Sequence, residues 1–416
     1  MTEPETAADP TPRRRSTAFY VLLLGAMCAL GAMSTDIYLP SLPQVVIDLS
    51  TSATAAQWTM TAMMIGNAIG QLIIGPLSDR FGRRRPVLIG IIGHIVVSIA
   101  CAYLPTIGWL IAARACQGVF TAAAGVVAMA VIRDLFVGRE ASRLMSRLLL
   151  VIGVAPLFAP SIGGFIAQYV TWRGVFGALA LMGVVLFVAV LIWLPETLPP
   201  DRRSHDWSDT WRGYGVLARD RHFLALALIP GLTSAVLMSY VVGSPFVFQT
   251  DFGLSSFRFS LVFALNGCGL IIGAQVAAAL AKTHSPAHIL RVTIPVLAVL
   301  AGWFAIVCWT GLGGLGLLIG SLFTVVFMIN FSPPNASALA MARHGRRAGT
   351  AAAVIGCIQF GLGGLISPLV GVLGEDAPAM SSVMFGAALV AVILLAVGTP
   401  IYRRGGAQEL DSVGLK

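Results

Sequence analysis

The sequence predicts an all-α integral membrane protein in which 12 transmembrane helices form two pseudo-symmetric bundles of six. Three observations predict it. Of the 416 residues, 57% are hydrophobic and only 11% charged, and the mean hydropathy of +0.86 leaves too little polar surface for a chain solvated by water. Twelve apolar stretches reach the roughly 20 residues that a helix needs to cross a bilayer. Between Pro195 and Phe223 the hydropathy collapses, dividing those stretches six and six.

The elements follow in order. Residues 1–17, with Pro4, Pro10, Pro12 and Arg13–Arg15, read as a disordered tail; the apolar run after it is too long for a secretory leader and has no convincing cleavage site. The N-terminal bundle, 18–195, holds spans near 18–39, 54–77, 86–104, 107–132, 144–168 and 174–194. A linker at 196–222 is polar and of mixed charge, with Trp207 and Trp211 four apart as in a short surface helix. The C-terminal bundle, 223–403, holds spans near 223–248, 259–281, 289–309, 312–340, 348–373 and 380–402, and 404–416 is a second tail. A shift of 208 positions superposes Arg139 on Arg347, Gly153 on Gly361, Pro160 on Pro368 and Gly163 on Gly371, as expected of a duplicated unit with its binding site between the halves.

Charge sets the orientation. All of the 27 lysines and arginines except Arg114, Arg173 and Arg258 fall on the side of the termini, and basic residues are retained inside, so both ends are expected in the cytoplasm. The net charge of +9 is therefore spread over separate loops, which argues against nucleic acid as a partner. A lipid bilayer and a small-molecule substrate are the expected partners, and the chain is expected to act as a monomer. The six cysteines all lie in predicted spans and show no disulfide or zinc spacing.

The densest charge lies at 75–86, Gly-Pro-Leu-Ser-Asp-Arg-Phe-Gly-Arg-Arg-Arg-Pro. Gly75 is expected to let a helix end approach its neighbour, and Gly82 to permit a tight reversal. Asp79 is suited to latch onto the positive end of a nearby helix. This segment resembles the loop between the second and third helices of the major facilitator superfamily. Arg114-Ala-Cys-Gln-Gly118 resembles that family's fourth-helix antiporter motif. Gly153, Pro156, Pro160, Gly163 and Gly164 lie in a stretch resembling the fifth-helix motif of proton-coupled exporters. Together with Thr35-Asp36-Ile-Tyr38-Leu-Pro40-Ser-Leu-Pro43, Arg133-Asp134-Leu-Phe and Gly243-Ser-Pro-Phe-Val-Phe248-Gln249, these look like the bicyclomycin and chloramphenicol resistance (Bcr/CflA-type) branch of drug:proton antiporters. The resemblance covers about residues 18–400. It implies the major facilitator fold, location in the bacterial cytoplasmic membrane, and export of small, mostly uncharged antibiotics or related metabolites in exchange for protons. Some multidrug relatives carry a second carboxylate in the first helix where this chain has only Asp36, so divalent cationic drugs are doubtful cargo.

Asp36 is the one acidic residue inside a predicted span, and Arg114 the basic residue at comparable depth. A charge in hydrocarbon costs about 3 kcal/mol or more. At about 1.5 Å per residue the two lie roughly 5 and 10 Å from the outer ends of their helices and are close enough in depth to meet. Asp36 is read as the proton carrier, with protons as coupling ion and no other cofactor, and Arg114 as its modulating partner, since burial and a nearby guanidinium both alter a carboxylate's proton affinity. The alternatives are a static pair, or an Asp36 that merely sits at the interface and caps a helix. An inner gate is expected from Gly75, Asp79, Arg80, Gly82, Arg83, Arg84 and Asp134, with Asp79 against the start of the eleventh span and an arginine of 80–84 against Asp134. Tyr38, Asn67, Gln71, Gln117, Tyr240, Phe248, Gln249, Asn266, Asn330, Asn335 and Gln359 are candidate substrate contacts, because a polar group at membrane depth must face a cavity or another helix. His94 is read as an interhelical packing residue.

Competing functions are separable. The chain has no phosphate-binding loop and only two lysines, Lys282 and Lys416, which argues against direct use of ATP. A facilitator or importer on the same scaffold would move cargo without protons. An intramembrane enzyme would need a metal or nucleophile, and His284 and His288, with Pro286 between them, lack the helical metal-binding spacing. No metal site and no catalytic residue is therefore expected.

Overall fold

The computed structural model describes residues 17–136, 138–203, 207–342, 344 and 348–402. The helices are α1 Thr17–Asp36, α2 Leu42–Asp48, α3 Ala53–Phe81, α4 Arg84–Tyr103, α5 Ile107–Leu135, α6 Gly138–Trp193, α7 Trp207–Arg219, α8 Arg221–Pro245, α9 Ser256–Leu280, α10 Pro286–Thr310, α11 Gly314–Ile329, α12 Ser332–Ala342, α13 Ala348–Ile366, α14 Leu369–Leu373 and α15 Ala377–Gly398. Among the described residues, eleven stretches are long and apolar enough to cross a membrane. The 56-residue α6 leaves helical geometry at Val170 and Thr171. At 1.5 Å per residue it would extend about 84 Å, well beyond the ~30 Å hydrocarbon layer, so its two arms are separate crossings and the total is twelve.

Starts are set by side-chain caps that satisfy backbone groups lipid cannot. Ser52, Ser255, Ser285 and Asp376 accept hydrogen bonds from Ala55, Arg258, His288 and Ala379 N–H groups. Asp220 caps α8 through His222 and Phe223 and also pairs with His344 at 2.9 Å. Within the first half α3 packs on α5, α1 and α4 on α6, and α4 on α5; within the second, α8 packs on α13 and α15. The halves meet where α3 crosses α13 and where α6 crosses α9. We call the face with the charged turn 75–86 inner and its opposite outer.

Several expectations are corrected. The first span ends at Asp36 rather than 39; the chain then forms a 3-10 turn at Leu39–Ser41 and the short α2. The charged segment is mostly helix. Helix α3 continues through Pro76 to Phe81, and the reversal is confined to Gly82, whose φ of 87° suits glycine. Its 29 residues rise about 43 Å, so the charged end projects beyond the hydrocarbon. Pro76 has no N–H to give the carbonyl four residues back. That carbonyl, Leu72 O, instead accepts from Tyr214 Oη of the linker helix α7 at 3.1 Å. Pro295 leaves Arg291 O in the same position, and Tyr402 Oη donates to it at 3.0 Å. Spans ten and eleven are each broken, at Asn330–Phe331 and Ser367–Pro368, and span seven ends in a π turn, Phe246–Asp251, that carries Phe248 and Gln249.

Candidate functional site

A cavity of about 650 Å³ lies between the halves. It extends from Asp36 past Asn67, Gln71, Asn330 and Gln359 to Asp79, Arg83, Arg133 and Asp134 at the inner face. At the outer face the halves are joined. Thr54 N and Oγ1 donate to Glu375 Oε1 at 3.0 and 3.2 Å, Gln249 Nε2 donates to Pro40 O at 3.3 Å, and Ser260 Oγ donates to Pro160 O at 3.0 Å. The arrangement is inward-facing.

Asp36 closes the last turn of α1 and lines the cavity, and among the described residues no cation lies within ion-pairing distance of it. The expected Asp36–Arg114 pair is therefore not formed. Arg114 is fully buried in α5, outside the cavity lining. Its Nη1 donates to Ser34 O at 3.0 Å and to Gln117 Oε1 at 2.7 Å, and its guanidinium stacks over Tyr38 and Phe176 at 5.2 and 5.7 Å. Because α1 stops at Asp36, Ser34 O has no helical donor of its own, and Arg114 supplies one. It touches the carboxylate's helix, two residues away, rather than the carboxylate. Gln117 continues the network to Ser98 Oγ at 2.7 Å, and His94 Nδ1 lies 3.1 Å from Thr121 Oγ1, which places His94 between helices α4 and α5.

The eleven candidate substrate contacts divide by helix rotation. Asn67, Gln71, Asn330 and Gln359 line the cavity. The other seven do not. Tyr38 and Phe248 are buried in the outer core, Gln117 is held by Arg114, and Gln249 bonds across the outer seam. Tyr240 stacks on Phe263 at 5.3 Å, while Asn266 and Asn335 return their amides to Val262 O and Phe331 O in their own helices. Sequence reasoning missed Met63, Met64, Met129 and Met238 in the wall. Their apolar type is indistinguishable from lipid-facing residues, yet flexible thioethers suit a wall that must fit differing shapes.

At the inner end Arg83 Nε donates to Asp134 Oδ2 at 2.8 Å, and Arg83 also pairs with Asp79 and with Ser78 Oγ. Burial favours loss of the Arg83 proton, but the hydrogen bonds to Asp134 and Asp79 outweigh it and hold its pKa above the ordinary value. All of these contacts lie within the first half, so they brace the turn without closing the cavity. Among the described residues Asp79 is bonded to Arg83 rather than to the eleventh span, and half of its side chain is exposed, at 54%. A side chain at Gly75 would meet nothing within 4 Å; that glycine borders the cavity and makes no close helix contact. Arg84 reaches back to Leu191 O, and Arg80 stands 5.7 Å over the Phe81 ring.

Glu196, just past α6, was not singled out by the sequence. Its carboxylate accepts from Arg83 N and Arg84 N at 2.8 and 3.2 Å, capping α4, while Thr197 Oγ1 donates to Asp134 at 3.0 Å. Glu196→Ala is expected to cost about 1 kcal/mol or more through loss of this cap, read as a lower melting temperature in detergent; an unchanged midpoint would show that the cap is dispensable.

In the fifth-span motif, Pro160 O accepts the bond from Ser260, a side chain at Gly163 would collide with Ile37 O, and one at Gly164 would lie 2.7 Å from Ser260 Oγ. This stretch is thus packed into the outer seam. Gly153 and Pro156 are helical, and their side-chain surroundings lie outside the described residues.

Comparison with known proteins agrees with this architecture. The family model described as Major Facilitator Superfamily matches residues 22–368. The uncharacterized MFS-type transporter YdgK of Bacillus subtilis is 37% identical over 92% of this chain and 95% of its own length. The bicyclomycin resistance protein homolog of Haemophilus influenzae is 28% identical over 92% and 96%. Among solved structures, a D-xylose-proton symporter superposes with a TM-score of 0.74 at 16% identity, over 91% of this chain and 97% of that one, a likeness of fold. The chain belongs to the major facilitator superfamily, a family of transporters rather than enzymes, and is a multi-pass membrane protein.

Proposed function

We propose that this chain exports small, mostly uncharged drug-like molecules, such as chloramphenicol or bicyclomycin-like compounds, in exchange for protons. The observation that carries the reading is the Asp36 carboxylate, placed in the wall of a cavity between the halves without an ion-pair partner among the described residues. A lone carboxylate lining the cavity can exchange a proton with whichever aqueous phase the cavity meets, so proton and cargo can use the same site at different times. The mixture of amides, hydroxyls and methionines in the wall suits neutral molecules with both polar and apolar parts. Similarity to the bicyclomycin resistance protein homolog supports a drug as cargo. The distribution of arginine supports a cytoplasmic inner face with both termini inside, and the likeness to bacterial transporters supports a bacterial inner membrane.

Everted vesicles acidified within test it. Addition of chloramphenicol or bicyclomycin is expected to collapse the acid gradient while the drug accumulates in the lumen. A passive facilitator would equilibrate the drug and leave the gradient unchanged.

A further inference from the structure

The outer seam is built unevenly. Where α3 meets the end of span eleven, Gln57 is fully buried and neither atom of its amide has a hydrogen-bond partner among the described residues. Gly371 admits this contact, since a side chain there would lie 2.6 Å from Gln57 Oε1. Burial without partners favours opening, because water would satisfy the amide. Something must hold the seam shut.

Two acidic residues follow span eleven, and they have different partners. Asp376 caps its own helix, accepting from Ala379 N at 2.8 Å. Glu375 faces the other half. Its backbone takes a left-handed φ of 65°, unusual for a residue with a side chain. Its Oε1 accepts from Thr54 N at 3.0 Å and lies 3.2 Å from Thr54 Oγ1, whose single proton is shared between it and Gly371 O at 3.0 Å. Thr54 lies in the first turn of α3, where N–H groups have no helical acceptor and a carboxylate is favoured.

We infer that Glu375 is an outer gate residue whose carboxylate, bound to the first turn of α3, holds the outer face closed while the cavity faces inward. At the inner end of the same helix pair, Asp79 of α3 and Gly349 in the first turn of α13 both line the cavity, and among the described residues no hydrogen bond joins them. Among the described residues, α3 and span eleven are joined through a carboxylate at the outer end and not at the inner end in this state. The inference rests on alternating access but requires neither proton coupling nor a known drug.

The test is labelling without substrate. In a variant whose six native cysteines are replaced, Thr61→Cys places a thiol one helical turn below Gln57 in the buried seam. A membrane-impermeant maleimide is added to intact cells. Glu375→Ala is expected to raise the labelling rate roughly tenfold, the ratio that loss of a charged hydrogen bond produces in a two-state equilibrium. Glu375→Gln, which keeps a neutral acceptor, should lie between parent and alanine, and Asp376→Asn should label like the parent. Equal labelling in Glu375→Ala and parent, at equal amounts in the membrane, would overturn the gate role; so would an equal rise in Asp376→Asn, which would indicate general loosening. Gradient-driven drug uptake measured in everted vesicles from the same variants keeps the two readings apart, since a failed gate leaves that uptake intact and failed coupling leaves the labelling pattern intact.

Discussion

Replacing Asp36 with asparagine is expected to abolish gradient-driven drug accumulation while leaving the protein folded in the membrane. The substitution keeps shape and hydrogen-bonding capacity but removes the exchangeable proton. Because Asp36 has no ion-pair partner among the described residues, loss of its charge leaves no cation unpaired. Removing a charge from membrane depth also relieves a cost of about 3 kcal/mol, so stability should hold or rise. The effect on coupling is large. A gradient of one pH unit is worth about 1.4 kcal/mol per proton and can sustain up to about tenfold accumulation for each proton exchanged. The asparagine variant should reach no accumulation above equilibrium, measured as labelled drug in everted vesicles. Drug accumulation at the parent level would remove Asp36 from the coupling role.

Valine at Gly66 or Gly118 should remove the folded protein from the membrane. Among the described residues, helices α3 and α5 form the most extensive helix pair, and the two glycines set their approach. A Cβ at Gly66 would fall on the Ala115 carbonyl, and one at Gly118 on the Met63 carbonyl. Each lies against the other's helix, so neither backbone can move away without losing the contact opposite. Overpacking costs roughly 1–3 kcal/mol where side chains can yield, and here the obstacle is backbone. Lipid offers no hydrophobic drive to restore the pair, because close packing is what holds membrane helices together. Gly177→Ala is the control, as a side chain there meets nothing within 4 Å. The measurement is the monodisperse yield after extraction; normal yield from both valine variants would show that α3 and α5 tolerate separation.

Much of the architecture was legible because hydropathy acts residue by residue. Lipid enforces helices of fixed minimum length, which locates the spans, and the charge of Asp36 at membrane depth is visible as a violation of that rule. The ends were less legible. Helix α3 runs past Pro76 because Tyr214, 138 positions away in the chain as the difference of 214 and 76, supplies the donor that the missing N–H leaves wanting at Leu72 O. Nothing near Pro76 in the sequence announces that. Likewise, Gln117 and Gln359 are the same residue type at comparable depth, yet one is bonded to Arg114 and the other lines the cavity. The difference is the rotation of each helix about its axis.

By itself the sequence determined the helical class, the division into halves, the inner charged segment and the single acidic residue among the predicted spans, because each follows from local composition and the cost of placing charge in lipid. Only the tertiary structure decided that Arg114 holds the end of α1 rather than Asp36, that four of the eleven polar candidates share a cavity, and that Glu375 reaches Thr54 across the halves. Those outcomes depend on helix rotation, crossing and kinks, which are fixed by packing between segments far apart in the chain, from 80 residues for Arg114 and Ser34 to 321 for Thr54 and Glu375.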